Sequence, residues 1–142
     1  MASPMERVFV GLHRGMYRLS GGRFGGRVRG SAVSLLTTTG RKSGKRRTIP
    51  LVYMEEEGRL LLAASNGGNA KQPVWYLNLV ADPEVEIQAG GRRFRTTAEV
   101  LMGTERGEVW ERYKSANSQF AGYEAKTDRE IPVIAFREPT AD

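Results

Sequence analysis

"AVSLLTTTGRKSGKRRTIPLVYMEEEGRLLLAAS", residues 32–65, decides the fold. Its three apolar runs, 32–38, 47–54 and 59–65, are rich in β-type residues and read as strands. The "EEEG" between the second and third is a tight turn, so those two runs are expected to form a hairpin. The first and second are joined by "GRKSGKRR", residues 40–47, a hairpin-type loop with five cationic side chains in eight positions.

Towards the C-terminus, "NGGNAK" breaks the strand pattern, and "PVWYLNLVADP" reads as a short helix with Pro73 at its first turn. "EVEIQAG" and "RRFRTTAEVLM" alternate apolar and polar residues about Gly90 and Gly91, a second hairpin. "GTERGEVWERYKSAN" is helical, with Thr104 expected as N-cap and Glu105 in the first turn. "SQFAGYEAKT" is a short helix or a turn, and "IPVIAFRE" a final strand. Towards the N-terminus, Met5, Val8, Phe9, Leu12, Met16 and Leu19 form one helical stripe. Ser3 is its expected cap, with Pro4 at the first position and Glu6 near capping-box spacing. With Arg7, Arg14 and Arg18 along it, this helix either packs on a core or lies on a membrane or over a site. "SGGRFGGRVRGS" reads as a flexible connector. About six mostly antiparallel strands with flanking helices give a mainly β (α+β) fold, a small or half-open barrel, and exclude a doubly wound parallel sheet. The expected division is residues 1–30 for helix and connector and 31–142 for the barrel.

The 142 residues fit one domain, and 39% hydrophobic content is enough for a core. Lys+Arg is 22 against Asp+Glu of 16, a net +6 that calls for an anionic partner. Absence of cysteine excludes disulfides, thiolate catalysis and Cys-ligated metal. No apolar run approaches the ~20 residues of a membrane span, and no signal peptide is evident, so a cytoplasmic protein is expected.

The loop "GRKSGKRRT" is not a phosphate loop, because three residues rather than four separate Gly40 from Gly44. "GGRFGG" lacks the dinucleotide-binding register. The single histidine, His13, sits on the polar side of the first helix, which leaves a catalytic triad or a histidine metal site without support. Hard chemistry would then belong to a bound cofactor, with no metal expected. Arginine forks suit phosphate and carboxylate oxygens, Gly40 and Gly44 let the backbone curl, and Ser43 adds a donor. The alternatives are a charged tip that only keeps the protein soluble, or a nucleic-acid loop, against which stands the lack of interleaved aromatic residues.

"TTTGRKSGKRRTIPLVY", "LLLAASNGGNAKQPVWYLNLVADPEVEIQ" and "YEAKTDREIPVIAF" together resemble the deazaflavin-dependent nitroreductase family, coenzyme F420-dependent oxidoreductases of actinobacteria. The likeness runs in order from Val33 to Phe136. It implies an FMN-binding-like split β-barrel and a ligand carrying a phosphodiester and an oligoglutamate tail. In the family pattern, Gly40, Arg41, Lys42, Ser43, Gly44 and Arg47 grip that tail, with Lys45 and Arg46 helping by charge and Lys71 near the phosphate. Ala63, Ala64, Ser65, Asn66, Gly67 and Gly68 fall where backbone lies against the ring. Val74, Trp75, Tyr76, Leu77 and Asn78 form a helix start facing the ring or phosphate.

The implied reaction is hydride transfer from the reduced coenzyme to activated C=C bonds of enones or coumarin-like lactones, to quinones or to nitroaromatics. Ser65 and Tyr123 are the expected polar contacts for the reacting oxygen. Asn117, Phe120 and Tyr123 fall on substrate-pocket positions, and Phe120 also on the cofactor. The family pattern has several tyrosines there, so fewer hydroxyls in this chain shift the expectation away from nitroimidazoles. The resemblance leaves open a non-catalytic carrier of F420 or FMN, a nucleic-acid-binding barrel, monomer against homodimer, and peripheral contact of the first helix with the inner face of the cell membrane.

Overall fold

Proline has no N–H to give a ladder, so a strand containing one belongs at an edge or a bulge. Pro50 sits within the third strand of the protein, and that strand is an edge. The computed structural model describes residues 27–28 and 31–139. The helix expected over residues 4–19 and most of the glycine-rich connector lie outside the described residues. The strands are β1 (Arg27–Val28), β2 (Ser31–Thr39), β3 (Arg46–Val52), β4 (Met54–Glu56), β5 (Arg59–Ala63), β6 (Glu84–Ala89), β7 (Arg92–Thr97), β8 (Glu99–Val100) and β9 (Val133–Arg137). The helices are α1 (Val74–Ala81), α2 (Gly103–Ala116) and α3 (Gln119–Ala125). All pairings are antiparallel: β1, β3 and β6 lie on β2, and β7 on β6, while the second sheet runs β4-β5-β9-β8. Among the described residues β3 pairs with β2 alone.

Among the described residues the expected six strands become nine, because two sequence runs change sheet partway and β1 is added. The run 47–54 breaks at Tyr53, whose N–H donates to the Ala32 carbonyl (3.1 Å) as the chain passes from β3 to β4. The run 92–102 breaks at Ala98, held by the Pro83 carbonyl (2.8 Å), between β7 and β8. Both hairpins form as read. Glu57 (φ 52°) and Gly58 (φ 74°) make the "EEEG" turn, where two left-handed residues match the twist of the strands. β1 was not foreseen; it lies inside the glycine-rich stretch and pairs with Ser31 and Ala32. Thr104 is not the N-cap expected of it: α2 begins at Gly103, whose φ of 59° turns the chain one residue early, and Met102 precedes it without a side-chain cap. Glu105 does lie in the first turn.

Residues 60–63 of β5 and 133–136 of β9 are buried on both faces, which explains their unbroken apolar sequences. Leu60, Leu62, Ile134 and Phe136 face the first sheet and pack with Leu36, Val85, Ile87, Trp75 and Leu79. Leu61, Ala63, Val133 and Ala135 face the helices and pack with Val109, Trp110, Tyr113 and Phe120. The Tyr113 hydroxyl donates to the Val52 carbonyl (2.8 Å), tying α2 to β3, and burial pushes its phenol pKa up. One side of the barrel is closed where the Thr96 hydroxyl bonds the Arg137 carbonyl (2.7 Å) and Arg92 pairs with Glu138 (3.1 Å) and Glu55 (2.8 Å). The other side, along β3, is open. Among the described residues no helix is long and apolar enough to cross a membrane.

Two stability tests follow from this packing. A Cβ on Gly68 (φ 84°) would meet the Tyr123 carbonyl at 2.7 Å, whereas one on Gly67 (φ 64°) meets nothing within 4 Å. Gly68→Ala is therefore expected to lower stability by about 3 kcal/mol, and Gly67→Ala by only the ~1 kcal/mol of a left-handed alanine, as read by thermal unfolding. Glu56 bonds Arg112 (2.7 Å) and Arg59 (3.4 Å), and these partners, Arg112 foremost, hold its carboxyl below the ordinary 4.5. A lowered folded pKa stabilises above the unfolded value and is lost as pH falls through the folded one. The stability gap between wild type and Glu56→Gln is thus expected to be full at neutral pH and to close on acidification below about 4.5.

Candidate functional site

An open groove of about 430 Å³ lies along the free edge of β3. Ile49, Pro50, Leu51 and Val52 form one wall, and Gln119, Phe120 and Tyr123 of α3 form another. The remaining boundary is Ala63, Ser65, Asn66 and Gly67 with Gln72, Pro73, Val74 and Trp75 at the start of α1. The volume suits a ring-sized ligand. The lining contains no carboxylate, lysine, arginine or histidine, so tyrosine is its only titratable type.

Local sequence explains the shape. Ser65 is in the right-handed helical region (φ −77°, ψ −30°), and Asn66 (φ 48°), Gly67 and Gly68 all have positive φ. A right-handed residue followed by a left-handed one turns successive N–H groups to one side, a concavity that suits an anion or a carbonyl oxygen. The hydroxyls of Ser65 and Tyr123 have no partner among the described residues. Tyr123 is held by edge-on contact with Phe120 (5.2 Å), and Phe120 by Tyr113 (4.8 Å), so the aromatic wall is anchored in the core.

The basic loop is built as a fixed turn. Gly40 N–H donates to the Lys45 carbonyl and Gly44 N–H to the Gly40 carbonyl, both at 2.8 Å, with Gly44 at φ 71°. Lys45 N–H bonds the Ser43 hydroxyl (3.1 Å), and Arg46 reaches Thr39 (2.9 Å). The Asn78 carboxamide, buried in α1, joins loop to groove: its Oδ1 accepts from Arg41 N–H (3.1 Å) and its Nδ2 approaches the Thr38 hydroxyl (3.4 Å). Asn78 lies one turn, roughly 6 Å, along α1 from the groove residue Val74. Arg41, Lys42, Lys45, Arg46 and Arg47 are exposed, and none has an ion-pair partner among the described residues. Elsewhere Arg59, Arg92, Arg93, Arg106, Arg112 and Lys114 all have one. No aspartate or glutamate occurs between Arg7 and Met54, a span holding 11 of the 22 cationic residues.

Of the residues singled out in the sequence, Ala63, Ser65, Asn66, Gly67, Val74, Trp75, Phe120 and Tyr123 meet in the groove. Ala64 and Tyr76 pack with the core between the sheets, and Leu77 is half-buried away from the lining. Gly68 is pressed against Tyr123 and Lys126. The Lys71 side chain is exposed, while its carbonyl accepts from Asn66 (3.0 Å) and Arg129 (3.4 Å). Asn117, expected to face the substrate, is buried at the C-cap of α2, where its N–H bonds Tyr113 and its carbonyl accepts from Phe120. Residues the sequence reading missed are the β3 wall, Gln72, Gln119 and Arg129. Pro50 was the available signal for the wall; Arg129 acts across some 60 residues and gave no local sign.

The family model described as F420H(2)-dependent quinone reductase matches residues 10–138. An F420H(2)-dependent quinone reductase of Mycobacterium tuberculosis is 38% identical over 127 residues, covering 87% of this chain and 85% of that protein. The solved structure of an F420-H2 dependent reductase is 43% identical with TM-score 0.69, covering 74% of this chain and 93% of that one. A solved domain-swapped dimer is 38% identical with TM-score 0.71, covering 95% and 100%. The open-sided pair of antiparallel sheets is the split barrel of these relatives. On the family model and these relatives, the chain belongs to the F420H(2)-dependent quinone reductase family and is an F420-dependent oxidoreductase.

Proposed function

We propose that this chain reduces quinone-type rings in the groove along β3, with the tail of coenzyme F420 held by the loop at residues 40–47. The observation that carries the reading is the loop itself: five exposed cations with no ion-pair partner among the described residues, on a turn fixed by internal bonds and tied through Asn78 to the helix whose first turn lines the groove. A phosphodiester with an oligoglutamate tail matches that charge, whereas the single phosphate of FMN leaves most of it unmatched. When bound, the reduced coenzyme supplies a hydride from its C5 carbon. The chain's own residues bind, orient and shield. Arg41, Lys42 and Arg47 hold the tail; Ile49, Leu51 and Trp75 exclude water from the ring face; and the hydroxyls of Ser65 and Tyr123 hydrogen-bond the oxygen on which negative charge grows. The aromatic edge at Phe120 and Tyr123 favours flat acceptors, quinones before enones, coumarin-like lactones or nitroaromatics.

Incubating the protein with reduced F420 and a panel of these acceptors, and following coenzyme absorbance, tests the reading. Tight coenzyme binding with no turnover of any acceptor would leave a carrier in its place. Arg41→Ala/Lys42→Ala/Arg47→Ala is expected to weaken coenzyme binding about a hundredfold, at roughly 1 kcal/mol per exposed charge-assisted contact, with little change in melting temperature. Tyr123→Phe and Ser65→Ala are each expected to lower kcat with quinones by about tenfold or more at nearly unchanged coenzyme affinity, as measured by steady-state kinetics and fluorescence titration.

A further inference from the structure

Arg129 is half-buried just before β9, and among the described residues it has no carboxylate partner. Its guanidinium instead spans one loop. Nη2 donates to the carbonyls of Ser65 (2.9 Å), Ala64 (3.2 Å) and Lys71 (3.4 Å), Nε to that of Asn69 (3.0 Å), and Nη1 to the Gln72 side chain (2.9 Å). Burial with no opposite charge lowers its pKa from the ordinary value. A trans peptide points its N–H opposite to its C=O. Fixing the carbonyls of Ala64, Ser65 and Lys71 on Arg129 therefore aims the N–H groups of Ser65, Asn66 and Gln72 away from it. Those three residues line the groove and Arg129 does not. The N–H groups of Ser65 and Gln72 have no protein acceptor among the described residues. Asn66 has a positive φ (48°), which asparagine tolerates better than most residues, and its side chain bonds the same Lys71 carbonyl (3.0 Å) that Arg129 reaches.

We propose that Arg129 is the positioning residue of the groove: it clamps the 64–72 loop so that peptide N–H groups of Ser65, Asn66 and Gln72 present to a carbonyl of the coenzyme's ring. This rests on the F420 reading. It adds a division of labour, in which the loop at residues 40–47 reads the polyanionic tail and the Arg129-clamped peptides read the ring.

The test compares wild type, Arg129→Lys and Arg129→Met with the tail variant Arg41→Ala/Lys42→Ala/Arg47→Ala, using two probes. One probe is whole coenzyme F420; the other is its deazaflavin riboside, which has the ring but neither phosphate nor glutamates. Arg129→Lys keeps the charge but loses the fork, and is expected to bind the riboside about tenfold more weakly and to shift the absorbance band of the bound ring, with Arg129→Met weaker still. Amide hydrogen exchange is expected to speed up at residues 64–72 only. The tail variant is expected to lose the whole coenzyme while keeping riboside binding. Wild-type riboside affinity and an unshifted band in Arg129→Lys would overturn the clamp. So would global unfolding of both Arg129 variants, which would assign the residue to the fold as a whole. Wild type that binds neither probe would sink the F420 reading together with this inference.

Discussion

The ladder between β5 and β9 is the constraint on which the rest depends. Leu60 to Ala63 lie opposite Val133 to Phe136, and alternate residues serve two cores. One face holds the two sheets together, and the other holds α2 and α3. A charged residue in place of Leu60, Leu61, Leu62, Ile134 or Phe136 would open a core and also shift the elements that carry the groove. Ala63 and Ser65 leave this ladder directly into the groove, and Phe120 rests on its helical face. The site therefore inherits its rigidity from a fully desolvated pairing, where side chains have the least freedom to move.

Charge is arranged with a similar division. Carboxylates and guanidinium groups pair off around the second sheet and α2, with Glu56 between Arg59 and Arg112 and Glu124 beside Lys114. The loop before β3 has no ion pair among the described residues. Bringing five like charges together raises the energy of the free protein, and an arriving polyanion relieves it. The buried Asn78 amide keeps that loop in step with α1, whose first turn lines the groove, so loop and groove have a fixed separation. Such preorganisation lowers the ordering cost of binding.

Much of this was readable in the sequence because it is local. The turns at residues 55–58 and 90–91, the start of α1 after Pro73 and the clustering of charge at residues 40–47 depend on neighbours within a few positions. What escaped reading was long-range. The handover from one sheet to the other at Tyr53 and Ala98 leaves no break in the apolar pattern, since both halves of each run stay in strand conformation. Asn117 has the polarity of a pocket residue but ends as a helix cap, because its position relative to α3 decides where it points. Arg129 carries no local sign in the sequence, and its closeness to four carbonyls, brought together from 58 to 65 residues away, is what makes it different.

Among the described residues one border of β3 is unpaired, and this has a consequence for solution behaviour. A bare strand border is a template on which a foreign or sibling strand can zip. Pro50 removes one donor from that template, and the clustered cations at its leading end push away any identical copy. The cations of the 40–47 loop thus also act as a guard against aggregation.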